Sequence, residues 1–302
     1  MAQINLKQLE AFVQVADLAS FRRAAEKLNT TQPNISARIS GLETQLGQRL
    51  FVRDAGSVRP TPHGTALLPK ARAVLRGMDD FLVAAGEDHL FDGILRLGVT
   101  EMIVHTWLGQ FLTAMKNRFP NIDVDLTVDV SANLSPPLFG RAIDLTFQSG
   151  PFDRQASGME PLGDFPFIWV AAPDHGFGDK VLSLSHLSRY PVLTHARGTL
   201  PHQQLLDHVA GSPTAVSVRV VPSTNLAACL QMTRDGFGVA CLPAAIVESD
   251  LERGHLSQLR YLWVPDALSF HARFDADTTP AYVGEAAKLA RDISLAHAGD
   301  HK

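Results

Sequence analysis

Residues 20–47, SFRRAAEKLNTTQPNISARISGLETQLG, decide how the N-terminal part of the chain folds. Ser20 can cap a short helix over 21–28, because its side chain can accept a hydrogen bond from the first turn. Residues 29–31 predict a tight turn, and Pro33 suits the first turn of a second helix, where its missing N–H costs nothing. The second helix has an apolar stripe at helical spacing and a terminal glycine: Ile35, Ile39, Leu42, Leu46 and Gly47. Two short helices joined by such a turn, over about residues 21–40, predict a helix-turn-helix.

The exposed face of the second helix is polar near its start, which fits two structures. A recognition helix presents hydrogen-bonding side chains at its N-terminus to base edges in the major groove of DNA. A plain three-helix bundle presents the same face to water, and helical spacing alone leaves both alternatives open. If the helix binds DNA, the predicted contacts are this face and one cation of the preceding helix: Arg22, Thr31, Gln32, Pro33, Asn34, Ser36 and Arg38.

The stretch after the second helix predicts a small two-stranded wing. Residues 50–53 and 58–61 indicate strands, and residues 54–57 indicate the turn between them. Arg53 and Arg59 lie on these strands. Arginines on a wing suit phosphate contacts, which position a protein on DNA without reading its sequence. The wing therefore favours the DNA-binding alternative.

The charge of the chain is unevenly distributed. The 302 residues carry a net charge of −4, which by itself argues against a nucleic-acid binder. Residues 1–76, however, contain eleven Lys or Arg and five Asp or Glu, a net charge of +6, which leaves −10 for the remainder. A small basic segment on a larger acidic one is typical of a head that binds a polyanion, although ordinary domains also drift by several charges.

The same segment resembles the LysR-type transcriptional regulators over about its first 65 residues. The agreeing positions share one register: Leu9-Glu10-Ala11-Phe12, Ser20-Phe21, Ala24-Ala25, Leu28, Thr31-Gln32-Pro33, Ser36, Ile39, Leu42-Glu43, Leu46-Gly47, Leu50-Phe51, Arg53, Thr61 and Gly64. The resemblance implies a winged helix-turn-helix, here residues 1–61, that binds double-stranded DNA. It also implies a homodimer or homotetramer and a C-terminal domain that binds a small co-inducer.

A long helix and a hinge are predicted over residues 62–90. The helix has a continuous apolar stripe: Ala66, Leu67, Ala71, Val74, Leu75, Met78, Leu82 and Ala85. Such a stripe has to be buried, either on the C-terminal domain of the same chain or on the same helix of a second chain. The resemblance implies the second arrangement, which makes this segment a linker and a dimerisation helix.

The C-terminal region, residues 91–302, predicts an α/β domain in two parts. Strands near 94–99, 123–130 and 145–148 alternate with helices near 104–119 and 133–141, as in parallel α/β units. The pattern repeats with strands near 191–194, 218–221 and 238–243 and helices near 201–209 and 224–234, and Val170 and Trp263 lie in stretches that could cross between the halves. The region resembles the family's co-inducer domain, a fold like that of periplasmic solute-binding proteins. The expected subdomains are 91–161 with 268–302, and 162–267.

A ligand is expected where strands end near helix N-termini, because open α/β sheets bind ligands beyond the carboxyl ends of their strands. The candidate effector residues are Thr100, Glu101, Met102, Asn133, Gln148, His195, Arg197, Leu200, Pro201 and Thr224. His195 and Arg197 could hold an anion, which favours a small polar organic acid, or could be solvated loop residues. Thr100 and Thr224 could bind the ligand or cap helices, and Glu101 could contact a ligand or stabilise a helix N-terminus.

The sequence favours no other chemistry. It has no nucleophile elbow, P-loop or dinucleotide fingerprint, so we expect no enzyme. His297, Asp300 and His301 lie in a frayed tail, and we expect no cofactor or metal. Neither a signal peptide nor an apolar run that could span a membrane is evident, so we expect a cytoplasmic protein. The alternatives are a cytoplasmic small-molecule-binding protein of solute-binding fold without a regulatory role, and a redox-sensing regulator that uses Cys229 and Cys241.

Overall fold

The computed structural model describes residues 4–54, 57–212 and 217–299; the side chains of residues 53, 54, 57, 80, 298 and 299 lie outside the description. The chain divides into two compact units. The first comprises Met1–Ile94, Arg118–Asp123 and Ala276–Glu285. The second comprises Leu95–Asn117, Val124–Asp275 and Ala286–Lys302.

The N-terminal head is a winged helix-turn-helix, as the sequence predicts. Its elements are α1 (Leu6–Leu18), α2 (Phe21–Lys27), α3 (Gln32–Leu46), β1 (Phe51–Asp54) and β2 (Ser57–Pro60). Ser20 caps α2 by accepting from the backbone of Arg23, and Gly47 ends α3 in the left-handed conformation. The turn residues 55 and 56, between the antiparallel strands, lie outside the described residues.

The core of the head is built from the apolar stripes of these helices. Ile35 and Ile39 of α3 are fully buried. Phe51 of β1 packs edge-on against Phe12 and Phe21, with ring centroids 5.6 and 6.0 Å apart, so the wing is fixed to α1 and α2. Burial of one face of α3 leaves its opposite face exposed.

The linker helix α4 (Pro62–Ala85) starts directly after the wing. Thr61 caps it by accepting from the backbone of Gly64. The helix packs against α1, and Arg72 forms an ion pair with Asp17 of α1. A single 3₁₀ turn over Asp88–Leu90 follows at the expected hinge.

The remaining strands form two mixed sheets, and helices connect them. In chain order they are β3 (Gly93–Val99), α5 (Glu101–Val104), α6 (Leu108–Arg118), β4 (Ile122–Val128), α7 (Ser131–Phe139), β5 (Leu145–Ser149), β6 (Gly158–Phe165), β7 (Phe167–Ala171), α8 (Leu184–Leu187), β8 (Val192–Thr194), α9 (Leu200–Ala210), β9 (Val220–Pro222), α10 (Leu226–Arg234), β10 (Val239–Pro243), α11 (Ala244–Glu252), β11 (Ser257–Leu259), β12 (Leu268–Phe274) and α12 (Ala281–Gly299). The first sheet has the order β4-β3-β5-β12-β6, and the second has the order β11-β7-β10-β8-β9. The predicted two-part α/β domain is therefore confirmed.

The structure contains four strands that the sequence interpretation does not include, β6, β7, β11 and β12, and one helix begins at a different residue. The parallel pairs β3–β5, β8–β9 and β8–β10 agree with it, but β12 is antiparallel to β5 and β6, and β7 is antiparallel to β10 and β11. Val170 is central in β7 rather than in a crossing segment, whereas Trp263 does lie between β11 and β12. The first crossing lies at Pro166, because β6 continues in the first sheet to Phe165. The helix expected over 104–119 is α6, which begins only at Leu108, and the short helix α5 precedes it.

Candidate nucleic-acid interface and ligand cleft

The first turn of α3 presents polar side chains to solvent. Thr31 is the N-cap residue and its side chain makes no capping hydrogen bond, so its hydroxyl is available to an outside partner. Gln32, Pro33 and Asn34 are exposed, and Asn34 Nδ2 donates to Thr30 Oγ1 at 3.1 Å. The helix N-terminus also carries a partial positive charge from unpaired backbone N–H groups, which favours an anion such as a phosphate. This turn combines the two requirements of DNA recognition, base-edge donors and a phosphate site.

The remaining candidates of α2 and α3 differ in exposure. Ser36 and Arg38 are half-buried on α3. Arg22 is exposed on α2 and pairs with Glu26 at 3.0 Å, an arrangement worth little in water that a phosphate could replace. Burial raises the pKa of Glu10 on α1, while the nearby Arg38 opposes this rise.

Glu43 fixes the wing relative to α3. Its Oε1 accepts from the backbone N–H groups of Leu50 and Phe51 at 2.7 and 3.2 Å. The wing strand β1 therefore begins at a defined position relative to the recognition helix. Arg59 is exposed on β2, where it can reach a phosphate, and Arg53 lies on β1 with its side chain outside the described part.

Thr100 follows β3, and its hydroxyl is buried without a partner in the part of the chain that the structure describes. It is the N-cap residue of α5, yet its side chain makes no capping hydrogen bond. Its Oγ1 has no hydrogen-bond partner among the described residues. A buried hydroxyl without a partner costs about 1–3 kcal/mol. The capping alternative for Thr100 is therefore wrong, and the hydroxyl is available to a ligand.

Glu101 connects the two sheets of the second unit. It starts α5 after β3 of the first sheet, and its Oε2 and Oε1 accept from the backbone N–H groups of Leu226 and Ala227 at 2.6 and 3.1 Å. These N–H groups begin α10 beside the second sheet, so the carboxylate lies at the positive end of that helix. Of the two alternatives for Glu101, the structure shows the contact with a helix N-terminus, and the helix is α10.

Gln148 and His195 contribute two more buried atoms that lack partners among the described residues. Gln148 is the penultimate residue of β5, is fully buried, and donates from Nε2 to Ser135 Oγ at 3.1 Å, while its Oε1 has no partner among the described residues. His195 follows β8, and its Nδ1 is buried and unpartnered. Burial lowers the pKa of His195 to about 4, with Glu101 opposing the shift, so the ring is neutral at neutral pH. Three polar atoms without partners in the described part of the chain thus lie at or just beyond the carboxyl ends of β3, β5 and β8.

The other candidate effector residues are less enclosed. Met102 and Pro201 are buried, whereas Arg197, Leu200 and Thr224 are exposed. Asn133 is also exposed, and its Nδ2 donates to Asp129 at 2.9 Å. The structure caps α10 with Asn225 rather than with Thr224. Arg197 is therefore a solvated loop cation here, as one of the two alternatives for it supposed.

The two cysteines are poor candidates for redox chemistry. Both are buried and free, and burial raises the pKa of each thiol. Cys229 Sγ donates to the backbone oxygen of Thr194 at 3.4 Å. Because the thiolate is the reactive form, these environments disfavour oxidation.

Further features of the described residues bear on other chemistry. A cavity of about 220 Å³ lies against α9 and contains none of the candidate effector residues. Its lining consists of Gln204, Asp207, His208, Trp263, Val264, Pro265 and Asp266. Within residues 4–54, 57–212 and 217–299, no group of three or more His, Cys, Asp or Glu is placed to hold a metal; Asp300 and His301 lie outside this part.

None of the described helices is both long and apolar enough to cross a membrane.

Two family models match the chain. One is described as "Bacterial regulatory helix-turn-helix protein, lysR family" and covers residues 6–65. The other is described as "LysR substrate binding domain" and covers residues 88–281. The boundary between the matched regions falls within and just after α4, where the sequence places the linker.

Relatives and solved structures match over most of their length. The HTH-type transcriptional regulator GltR of Bacillus subtilis is 25% identical over 92% of this chain and 93% of its own. A probable hydrogen peroxide-inducible genes activator of Mycobacterium leprae is 30% identical over 85% of this chain and 84% of its own. The structure of an OxyR C206 mutant of Corynebacterium glutamicum is 27% identical, with a TM-score of 0.59 over 99% of this chain and 96% of its own.

Proposed function

Because the chain belongs to the LysR family of bacterial transcriptional regulators, we propose that it reads a DNA site with α3 and responds to a small molecule bound beyond the strand ends of its second unit. The domains are 1–61 for DNA binding, 62–90 for linkage, and 91–302 for the effector. The chain acts in the cytoplasm. None of its residues has a catalytic role in this function.

The observation that carries the DNA-binding proposal is the exposed first turn of α3. Gln32, Pro33 and Asn34 of this turn are exposed, while Ile35 and Ile39 farther along the same helix are fully buried, so core packing fixes where the turn lies. Gln32 and Asn34 have the amide groups that pair in a bidentate manner with adenine. Thr31, Pro33, Ser36 and Arg38 complete the surface, and Arg22, Arg53 and Arg59 contact phosphates.

The apolar face of α4 supports association of two copies. Val74, Met78 and Phe81 are exposed by 51%, 38% and 65% of their surfaces. Pairing of α4 with the same helix of a second chain would bury them and would place two heads on one DNA site. The protein is therefore proposed to be a homodimer or a homotetramer of such dimers.

The geometry revises the chemistry expected of the effector. The sequence favours a small polar organic acid, on the basis of His195 and Arg197. Here His195 is neutral at neutral pH, Arg197 is exposed, and the carboxylate of Glu101 occupies the N-terminus of α10. We therefore propose that the ligand presents an uncharged polar group to Thr100, Gln148 and His195.

A redox alternative has weaker support. The Mycobacterium leprae relative is named for peroxide-inducible genes, but Cys229 and Cys241 are buried with raised pKa values. If the regulator instead senses a bound small molecule, the ligand contacts Thr100, Gln148 and His195, and both cysteines only pack in the core. The solute-binding alternative without a regulatory role does not account for the winged head.

Arg59→Ala is expected to weaken binding to target and random DNA by the same factor. Arg59 lies on the wing and contacts a phosphate in this proposal, so its loss removes one released counterion. The slope of log affinity against log salt should fall in magnitude by about 1. Fluorescence anisotropy between roughly 50 and 200 mM salt measures it. Arg253→Ala, at an exposed position after α11, is the matched control. An unchanged slope in Arg59→Ala would remove the wing from the interface.

Thr100→Val is expected to stabilise the ligand-free chain and to abolish the ligand response. Valine has nearly the shape of threonine but no buried hydroxyl, so removing the unpartnered Oγ1 should raise the free energy of unfolding by about 1 kcal/mol. Thermal unfolding of the full chain against a panel of polar metabolites measures both effects. The control is Thr113→Val, whose exposed hydroxyl only bonds within α6. A destabilised Thr100→Val chain that still responds to the same compound would contradict the proposal.

A further inference from the structure

Arg273 of β12 is a fully buried cation without an acidic partner among the described residues. None of its surface is exposed to solvent. No carboxylate of the described residues forms an ion pair with it, and burial lowers the pKa of its guanidinium. Removing a guanidinium from water costs several kcal/mol unless an opposite charge compensates it. The burial of the Arg273 guanidinium at this cost points to an anion that binds it from outside the chain.

The contacts of Arg273 show which of its donors are available. Its Nη1 donates to Ser135 Oγ at 3.3 Å, and its Nη2 donates to the backbone oxygen of Arg154. Its Nε is buried and has no partner among the described residues. The Phe152 ring lies over the guanidinium, with its centroid 3.9 Å from Cζ, and thus covers one face. A ligand therefore has to approach the Nε edge in the plane of the guanidinium.

A second cation lies beside the same site. The guanidinium of Arg154 is 4.1 Å from the centroid of the Phe139 ring, and that of Arg273 is 5.6 Å from the same centroid. Arg154 is exposed, and no acid of the described residues pairs with it. Its backbone oxygen and the Phe152 ring both belong to the segment 150–157 between β5 and β6, which covers Arg273. An anion that approaches this segment meets Arg154 first.

We propose that Arg273 is the base of a binding site for a small monocarboxylate, covered by the segment 150–157. The carboxylate replaces the backbone oxygen of Arg154 at Nη2 and takes Nε as its second donor, because this edge of a guanidinium matches a planar carboxylate with two parallel hydrogen bonds. The site contains neither Thr100 nor Glu101, and it adjoins the proposed effector site at Gln148. Ser135 lies between them, since it accepts from both Arg273 and Gln148.

The test is thermal unfolding of the full chain while sodium acetate replaces sodium chloride at constant ionic strength. Acetate is expected to raise the melting temperature in a saturable manner by roughly 2–4 °C. Acetamide, which has the same shape without the charge, is expected to have no such effect. Arg273→Met should abolish the rise in melting temperature. Arg273→Lys should increase at least tenfold the acetate concentration that gives half of the rise, since an ammonium lacks the planar fork of a guanidinium.

Three controls distinguish this site from general effects. Arg118→Met removes an arginine that pairs with Asp88 and Glu285, so it should lower stability and keep the acetate rise. Thr100→Val should also keep the rise. If Arg273→Met does not fold, the wild-type comparison of acetate with acetamide and the Arg273→Lys midpoint decide the question. A rise shared by acetamide, no saturable rise at all, or a rise abolished by Thr100→Val would overturn the proposal.

Discussion

Gly64→Ala is expected to destabilise the head by about 3 kcal/mol or more and to abolish DNA binding. A Cβ atom at Gly64 would lie 2.3 Å from the backbone oxygen of Leu50, a contact that no side-chain rotation can relieve. The same oxygen accepts from the backbone of Thr61 at 2.8 Å. The substitution would thus force the start of α4 away from the wing and disturb the packing of Phe51.

The control for this prediction lies in the same helix. A Cβ atom at Gly77 meets nothing within 4 Å, and the residue is exposed in the middle of α4. Gly77→Ala should stabilise the chain by up to about 1 kcal/mol, because alanine has a higher helix propensity than glycine. Thermal unfolding and DNA affinity of both variants measure the difference. If Gly64→Ala melts within the error of the wild type, α4 does not approach Leu50 as described.

Gln32→Ala is expected to reduce discrimination between target and random DNA by roughly 10- to 100-fold. A glutamine that pairs with adenine in a bidentate manner contributes about 1–3 kcal/mol of preference for the correct base. Gln32 is exposed at the start of α3, so its replacement leaves the core intact. Affinity for random DNA, which depends on the phosphates, should hardly change.

Gln45→Ala is the matched control, because it makes the same change at an exposed position near the other end of α3. It should leave both affinities unchanged. An equal loss on target and random DNA in Gln32→Ala would mean that Gln32 only positions the helix. The ratio of the two affinities, measured by titration at one salt concentration, separates these outcomes.

The fold of the head was predictable because its signals are local. Ser20, Pro33 and Gly47 act within one turn of their own position, and the α3 stripe has a clear helical period. The strands β6 and β12 were missed for the opposite reason. The β6 segment contains Pro161 and Gly163, which interrupt the alternation of a simple strand. The β12 segment does alternate apolar and polar residues, but its place in the first sheet depends on pairing with β5 and β6, which lie far earlier in the chain.

The candidate ligand site was predictable only in part. Strand ends near helix N-termini identify Thr100, Glu101, Gln148 and His195, because this rule depends on element order. The partner of Glu101 is 125 residues away on the N-terminus of α10, and no local pattern indicates that contact. Likewise, Arg273 lacks an acidic partner among the described residues because of the side chains that folding brings around it, so the sequence does not indicate its role.

The most direct test of DNA reading by α3 is selection of bound sequences from a library of randomised duplex DNA. The wild type and Gln45→Ala should select the same motif, with two related half-sites if two heads bind together. Gln32→Ala should select a motif that has lost preference at one position in each half-site. Identical motifs for all three proteins would contradict the assignment of the first turn of α3 as the reading surface.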